Sequence, residues 1–215
     1  MKKLILILTV LVSMTGMAQT QDKNSFGFKP RSYYTFSWNS TITLGDFNKW
    51  VGNTSPAGFD LGGRYLLDGG LFTGFNIGWQ RVSQVYGYQT YYGSDGSAVT
   101  ATNYRFTWMV PFQLVIGYHL HPAKTISPYV DLGIGGDYME HHLLIQEFDI
   151  SQNRWDFSLT PEIGALVKIG YYSQWGILVA FNYKWTTNKI DIISNSPLKD
   201  LQMLNLKVGL SYIIR

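Results

Sequence analysis

The sequence predicts an all-β protein, an eight-stranded antiparallel up-and-down β-barrel. Three observations carry this prediction: eight segments in which apolar and polar residues alternate, connections whose lengths alternate, and a composition poor in charge. Charged residues make up 14% of the 215 residues and aromatic residues 16%, whereas soluble domains carry about 25% charged residues. This combination favours strands whose apolar face does not meet water.

Residues 1–18 have the pattern of a cleaved export signal. Lys2 and Lys3 precede an apolar run that ends at Val12, and Gly16 and Ala18 are the small residues that a signal peptidase reads. The apolar run is shorter than the about 20 residues that a membrane-spanning helix requires. We therefore expect a signal peptide over 1–18, a periplasmic N-terminal segment over 19–30 and a barrel domain over 31–215.

Alternation with a period of two residues recurs eight times along the remaining chain. The apolar rows run over Tyr34–Trp38, Phe59–Leu67, Phe75–Trp79, Tyr104–Tyr118, Val130–Tyr138, Phe157–Ile169, Ile177–Trp185 and Leu204–Ile214. Each segment is about as long as a tilted strand needs to cross a bilayer. The eight segments predict eight strands in sequence order.

The connections between these segments alternate in length. Asp68–Gly70, His119–Ser127 and Tyr171–Gln174 are short, whereas 43–56, 86–102, 140–154 and 187–200 are long. Barrels of the outer membrane have short periplasmic turns at one end and longer extracellular loops at the other. We expect the same arrangement here, with four long extracellular loops.

The composition of the polar rows indicates which face lies outside. A lipocalin would turn its apolar rows inward and present polar rows to water, but such rows would be rich in Lys and Glu. Here they hold mostly Gly, Ser, Thr, Asn and Gln with five charges of each sign: Asp60, Arg64, Arg105, Asp131, Asp137, Asp156, Glu162, Lys168, Lys184 and Lys207. This favours a transmembrane barrel with a narrow polar lumen.

We predict that nine of these charges form an ion-pair network that fills the lumen: Asp60, Arg64, Arg105, Asp131, Asp137, Glu162, Lys168, Lys184 and Lys207. Buried charges need partners, and Arg105 and Asp137 are expected to pair because both lie high on neighbouring strands.

Aromatic residues and prolines add detail to this picture. Aromatic belts at the two membrane interfaces are predicted from Tyr118, Tyr129, Trp175 and Tyr212 at one end and Trp79, Tyr104, Trp155 and Trp185 at the other. Pro111 and Pro161 predict local irregularity, including a register slip, because proline lacks a ladder donor. Arg81 falls on the lipid-facing row, and we expect it above the hydrocarbon.

The segments Ser127–Asp137 and Thr160–Gly164 look like strands of small eight-stranded outer-membrane β-barrel proteins, the OmpA/OmpX-like porin family, and the resemblance covers residues 31–215. The closing segment is similar to the signal that the barrel-assembly machinery recognises, carried here by Lys207, Gly209, Tyr212 and Ile214. It departs in having Ile214 where an aromatic residue is usual. The resemblance implies the outer membrane of a Gram-negative cell, with outer-membrane lipid and the barrel-assembly machinery as partners.

Catalytic chemistry has few candidates. The chain has no cysteine, which excludes disulfides and thiolate sites. We expect His119 and His121 to be solvated turn residues. His141 and His142 are adjacent on a strand and point to opposite faces, so without a bend in the strand they cannot share one catalytic centre. We predict no catalytic, cofactor or metal site, with a weak metal or pH-sensitive site at His141 and His142 as the alternative.

The predicted function is that of a non-catalytic integral outer-membrane barrel, structural or an accessory subunit of a larger outer-membrane complex, with its lumen plugged by side chains. The alternatives are a narrow solute or ion channel, a lipid-modifying enzyme that uses His141 or His142, and a secreted lipocalin-like carrier. Tyr88, Tyr91 and Tyr92 are the candidate loop contacts. The net charge of +3 gives no basic excess for nucleic acid.

Overall fold

The protein folds as a closed ring of eight antiparallel strands, as the alternation predicts. The computed structural model describes residues 30–92, 96–146, 148–170, 173–192 and 197–214. The strands are β1 Ser32–Leu44, β2 Gly58–Leu66, β3 Leu71–Tyr92, β4 Ala98–His119, β5 Ile126–Ile145, β6 Phe148–Lys168, β7 Trp175–Ile190 and β8 Leu198–Ile214. The predicted signal peptide, residues 1–18, and all but Pro30 of the segment 19–30 lie outside the described residues.

Each strand pairs with the next in the chain, and β8 closes the ring on β1. The closing ladder runs in continuous register from Ser32 opposite Ile214 to Leu44 opposite Gln202. Closure gives each of the eight described strands a hydrogen-bonded neighbour on both sides, which a lipid environment demands because it offers no hydrogen bonds to the backbone. Among the described residues, no helix is long and apolar enough to cross a membrane.

The strands extend further than expected at the end opposite the chain termini, which we call the outer end. Residues 86–102 and 140–154, predicted to be long loops, belong mostly to β3–β4 and β5–β6 hairpins. These hairpins stay paired as far as Tyr92 opposite Ala98 and Ile145 opposite Phe148. Sequence alternation fades there because both faces of a strand outside the bilayer can be polar, so the pattern underestimates strand length.

The connection between β1 and β2 contains a short helix, α1 Gly45–Trp50, that the sequence prediction placed in a loop. The side chains of Phe47, Trp50 and Val51 are fully buried. They turn into the outer mouth of the barrel, so this connection lies over the lumen as a lid.

Pro111 and Pro161 interrupt one ladder each without moving the register. On the β3 side of Pro111, pairing is lost between Ile77–Phe112 and Gln80–Met109, and the two flanking pairs keep the same offset. The β6–β7 ladder has the same gap at Pro161. The predicted register slip is wrong, because the missing donor faces only one neighbour and the other ladder holds the strand.

The two faces of the wall follow the predicted parity. Large apolar side chains such as Phe36, Leu114, Trp155 and Leu210 point outward and are exposed on the isolated barrel. The prediction for Tyr129 is wrong, since the sequence placed it in the aromatic belt. It precedes the outward-facing Val130 and therefore points into the lumen, where it is buried.

Candidate functional site: the filled lumen

The interior of the barrel is built in three layers. An apolar layer closes the end that holds the chain termini, here called the periplasmic end, and consists of Tyr33, Leu66, Phe72, Val115, Tyr129, Leu166, Leu178, Ala180 and Ile213. A second apolar layer under α1 closes the outer end and consists of Phe47, Trp50, Val51, Val82, Met109, Met139, Leu143, Ile190, Leu201 and Met203. Charged and amide side chains fill the space between them.

Glu162 on β6 is the hub of this polar layer. Its carboxylate accepts hydrogen bonds from the Tyr129 hydroxyl at 2.7 Å and from Asn182 Nδ2 at 2.9 Å. Lys207 Nζ lies 3.0 Å from its Oε2. Three donors therefore surround a carboxylate that is removed from water, which is the condition under which a buried charge is tolerated.

Lys207 extends the network to a second carboxylate. Its Nζ lies 3.1 Å from Asp60 Oδ2, and the same oxygen accepts a hydrogen bond from Asn39 Nδ2 at 2.8 Å. Arg64 forms a separate pair, with Nη2 3.2 Å from Asp131 Oδ2. The two groups lie side by side and bring charges from four strands, β2, β5, β6 and β8, into one layer.

Asp137 and Arg105 are not partners. The pairing predicted between them is wrong, because Asp137 Oδ2 lies 3.3 Å from Lys184 Nζ and is opposite Pro111, whereas Arg105 is opposite Leu143. The prediction failed because β5 continues to Ile145, which leaves Asp137 in the middle of the strand rather than near its outer end.

Arg105 lies in an aromatic setting at the outer mouth instead. Its guanidinium carbon is 4.2 Å from the ring centroid of Tyr86 and 5.4 Å from that of Trp50, and Nε donates to Asn103 Oδ1 at 3.2 Å. Cation–π contacts of this kind stabilise a desolvated guanidinium. Arg105 therefore holds α1 in place, through Trp50, rather than joining the central ion pairs.

His141 anchors the outer layer from below. Its Nδ1 lies 2.7 Å from Thr107 Oγ1 and its Nε2 lies 2.9 Å from Asn188 Oδ1, while Trp50 Nε1 donates to the same Thr107 hydroxyl at 3.0 Å. Both ring nitrogens are thus engaged and the imidazole is fully buried. No solvent-accessible nitrogen is left for chemistry on a substrate.

His142 points to the outer wall, as the parity of the strand predicts. Its two ring nitrogens each lie 3.0 Å from a carboxylate, Glu140 on one side and Asp149 on the other. Its ring stacks on Phe106 with centroids 4.4 Å apart. Within the described part of the chain, no group of three His, Asp or Glu side chains has the arrangement of a metal site.

The periplasmic end holds two further predicted residues in unexpected settings. His119 was predicted to be solvated, but it is the last residue of β4 and is buried, with Nε2 2.9 Å from the Tyr33 hydroxyl and Nδ1 2.8 Å from Ser127 Oγ. The prediction was wrong because β4 continues one residue into the segment that was predicted to be a turn. Lys168, predicted in the central network, lies at this end and donates to the Pro122 carbonyl at 2.7 Å.

Little space remains between these side chains. The cavity bounded by Tyr33, Asp60, Arg64, Glu162 and Lys207 measures about 10 Å³, which is about the smallest volume that can hold one water molecule. These five side chains therefore pack closely together between the two apolar layers.

The residues of the predicted assembly signal are divided between the two faces of β8, and the predicted loop contacts lie on β3 at the outer end. Lys207 and Gly209 point inward on β8, while Tyr212 and Ile214 point outward. A Cβ at position 209 would collide with the Phe36 carbonyl, so the glycine lets β8 approach β1. Tyr88 is 81% exposed, and Tyr91 and Tyr92 belong to β3, with side chains outside the described set.

The prediction from sequence missed the amide residues that complete the network. Thr41 Oγ1 donates to Asn205 Oδ1, and Asn205 Nδ2 donates to Asn182 Oδ1, each at 2.8 Å. Asn182 in turn donates to Glu162. The alternation in the sequence already places these residues on the inward face. The prediction left them out because it considered only charged side chains. The spacing of Phe47 and Trp50 by three residues was a signal for α1.

The closed ring, the lipid-facing apolar wall and the filled polar interior together define an integral outer-membrane β-barrel. The model of the family described as outer membrane protein beta-barrel domain matches residues 6–213, and the chain belongs to this family. It is therefore a protein of the cell outer membrane. No protein with a curated description matches the sequence.

The chain is similar to several solved structures of outer-membrane proteins. Neisserial surface protein A (NspA) is 10% identical, with 85% of this chain and 97% of that chain covered and a TM-score of 0.51. Ail, the attachment invasion locus protein of Yersinia pestis, is 14% identical over 87% of this chain and 100% of that chain, with a TM-score of 0.46. The outer membrane protease OmpT of Escherichia coli is 9% identical, with coverage of 92% and 100% and a TM-score of 0.43.

Proposed function

We propose that this protein is a non-conducting, non-catalytic barrel that acts as a structural component or accessory subunit in the outer membrane. The observation that carries the proposal is the filled lumen, in which the buried pairs Lys207–Glu162 and Arg64–Asp131 lie between two apolar layers. Eight strands enclose an interior just wide enough for side chains. With its interior closed, the barrel can act only through its outer wall and its extracellular hairpins.

A narrow channel is less well supported. The lid formed by α1 closes only the outer mouth, and lifting it would leave the central ion pairs in place. Passage would require Lys207, Glu162 and Arg64 to separate in the same event, and each separation leaves a charge without its partner in a low-dielectric interior.

An enzymatic role for His141 or His142 also lacks support from the geometry. His141 is enclosed with both nitrogens bonded, and His142 lies on the outer wall between two carboxylates. A hydrolytic centre needs a nucleophile within hydrogen-bond reach of a base that is open to substrate, and neither histidine has this arrangement among the described residues. Unchanged lipid A in a strain that lacks the protein is the expected result.

The conductance experiment tests the closed lumen. The purified protein is reconstituted into planar bilayers beside an open porin, and steady current is recorded across both. We expect no steady channel from this protein, and a reproducible unitary conductance would overturn the proposal of a closed barrel.

The accessory role is tested by gentle detergent extraction of the tagged protein from outer membranes. A stoichiometric larger barrel or lipoprotein in the eluate supports an accessory subunit. Comparison with Tyr88→Ala, which changes an exposed side chain of the β3–β4 hairpin, shows whether the hairpin carries the contact. Purification of the protein alone supports a free-standing structural barrel. The barrel-assembly machinery is expected only during insertion, through the closing segment of β8.

A further inference from the structure

Arg81 is a charged residue on the lipid-facing row of β3. It follows Trp79 by two residues on the same face and lies opposite Trp108 on β4. Tryptophan side chains mark the level at which the hydrocarbon meets the headgroups. The position of Arg81 beside both tryptophans therefore places its guanidinium at the headgroup level of the outer leaflet, where a cation is tolerated far better than at the membrane centre.

The guanidinium is held in a fixed orientation by aromatic neighbours. Its Cζ lies 4.8 Å from the ring centroid of Phe106, and Nη2 donates to the Tyr104 hydroxyl at 3.2 Å. A guanidinium carries five N–H donors, and Nη2 makes one hydrogen bond, to Tyr104. Nε is buried and has no hydrogen-bond partner among the described residues, so the two Nη groups are the ones that can reach a ligand. The protein thus positions this group without using most of its capacity to donate.

The charge of Arg81 is also left without a counter-ion by the described part of the protein. Glu140 is the carboxylate on the same row, but Trp108 stands between them in the register of β3, β4 and β5, which separates the two backbones by about 10 Å. Glu140 is already engaged by His142 at 3.0 Å. A fixed cation beside a hydroxyl group, at the depth of lipid headgroups, is complementary to a phosphate group.

We propose that Arg81 and Tyr104 form a binding site on the outer wall for the phosphate of an anionic lipid headgroup. The guanidinium donates to phosphate oxygens, and the Tyr104 hydroxyl, which accepts from Arg81, donates its own proton to the same group. Phe106 holds the guanidinium against the wall, with His142 stacked on its ring. The site does not depend on whether the lumen conducts, so its test is separate from that of the closed barrel.

Native mass spectrometry in a maltoside detergent, which contains no phosphate, tests the proposal directly. The full protein is titrated with phosphatidylglycerol and, separately, with a diacylglycerol of the same chains. We expect retention of phosphatidylglycerol above diacylglycerol, a loss of about tenfold for Arg81→Gln, and a smaller loss for Arg81→Lys. Tyr104→Phe keeps the ring and removes only the hydroxyl, and it should weaken retention in the same direction.

Lys49→Gln is the matched control, because it removes one positive charge from an exposed outer position and should leave lipid retention unchanged. A heat-dependent shift in gel mobility confirms that each variant is folded. Equal retention of phosphatidylglycerol by the parent protein, Arg81→Gln and Tyr104→Phe would overturn the proposal. Displacement of the lipid by millimolar inorganic phosphate would also overturn it, since the ligand would then be a free anion.

Discussion

Lys207 Nζ lies 3.0 Å from Glu162 Oε2 in the middle of the barrel, although β7 separates the strands that carry them. The pair therefore ties β8 to β6 across the lumen rather than along the wall. Because both side chains are buried, the attraction between them mainly offsets the cost of removing two charges from water. The pair therefore favours the correct register of the strands, because a strand in the wrong register would bury one charge without the other.

Lys207→Met should lower the free energy of unfolding more than Glu162→Gln does. Removal of Lys207 leaves the carboxylates of Asp60 and Glu162 without their cation, and breaking a buried pair costs about 3–5 kcal/mol. Glu162→Gln keeps a hydrogen-bond acceptor, and Lys207 keeps Asp60 at 3.1 Å. Urea unfolding in lipid vesicles, followed by tryptophan fluorescence, gives both values.

Lys199→Met is the control for this comparison, since an exposed lysine should change the free energy of unfolding by no more than about 0.5 kcal/mol. If Lys207→Met and Lys199→Met unfold at the same urea concentration, the central network contributes nothing to stability.

Trp50→Ala should destabilise the protein by about 3–5 kcal/mol, because the side chain is fully buried in the outer apolar layer and its loss leaves a cavity. It should still conduct no current, since the central ion pairs lie below. Trp155→Ala, which removes a tryptophan that is 62% exposed, should cost less. Steady conductance through Trp50→Ala would show that α1 alone closes the lumen.

The sequence predicted the wall of this barrel better than its contents. The period of two residues is a local property, so it places Glu162 and Lys207 on the inward face without knowledge of the fold. The stagger of the strands around the ring decides which inward residues contact each other. That stagger cannot be predicted from the sequence of any single strand. Arg105 illustrates the difference: its face was predicted correctly and its partner was not.

Residues at the ends of strands were the other source of error. His119 and Tyr129 lie where the alternation fades into a turn, and both are buried because β4 and β5 continue past that point. The helix α1 was not predicted because six residues are too few for a periodic signal to outweigh a loop-like composition. Pattern analysis thus found the strands, whereas closure at the two ends depends on contacts between distant segments.

The attachment of α1 to β8 should depend on pH through Asp46. Its carboxylate lies 2.6 Å from Lys49 Nζ and accepts from the Lys199 backbone N–H at 3.4 Å, and these donors hold its pKa below the ordinary value of 3.8. A lowered pKa means that the contact stabilises the folded form above the ordinary pKa and is lost as the pH falls through the lowered one.

Hydrogen exchange measured between neutral pH and pH 2, after correction for the intrinsic rate, checks this expectation. Protection of the α1 amides should fall at the acid end in the parent protein, and Asp46→Asn should be less protected at neutral pH and show no such fall. Identical pH profiles for the two proteins would exclude Asp46 as the cause.

His119 and Tyr33 should behave as one unit at the periplasmic end. The Tyr33 hydroxyl lies 2.9 Å from His119 Nε2 and both groups are buried, so loss of either leaves the other without its partner. His119→Phe keeps a ring among Phe72 and Tyr129 but orphans the hydroxyl, which costs about 1–3 kcal/mol. Tyr33→Phe in the same protein removes the unpaired hydroxyl, and the double variant should therefore be more stable than the sum of the single changes predicts.

A double-mutant cycle of urea unfolding measures this coupling, for which we expect about 1 kcal/mol. Strict additivity would mean that the two side chains fill space at this end without depending on each other.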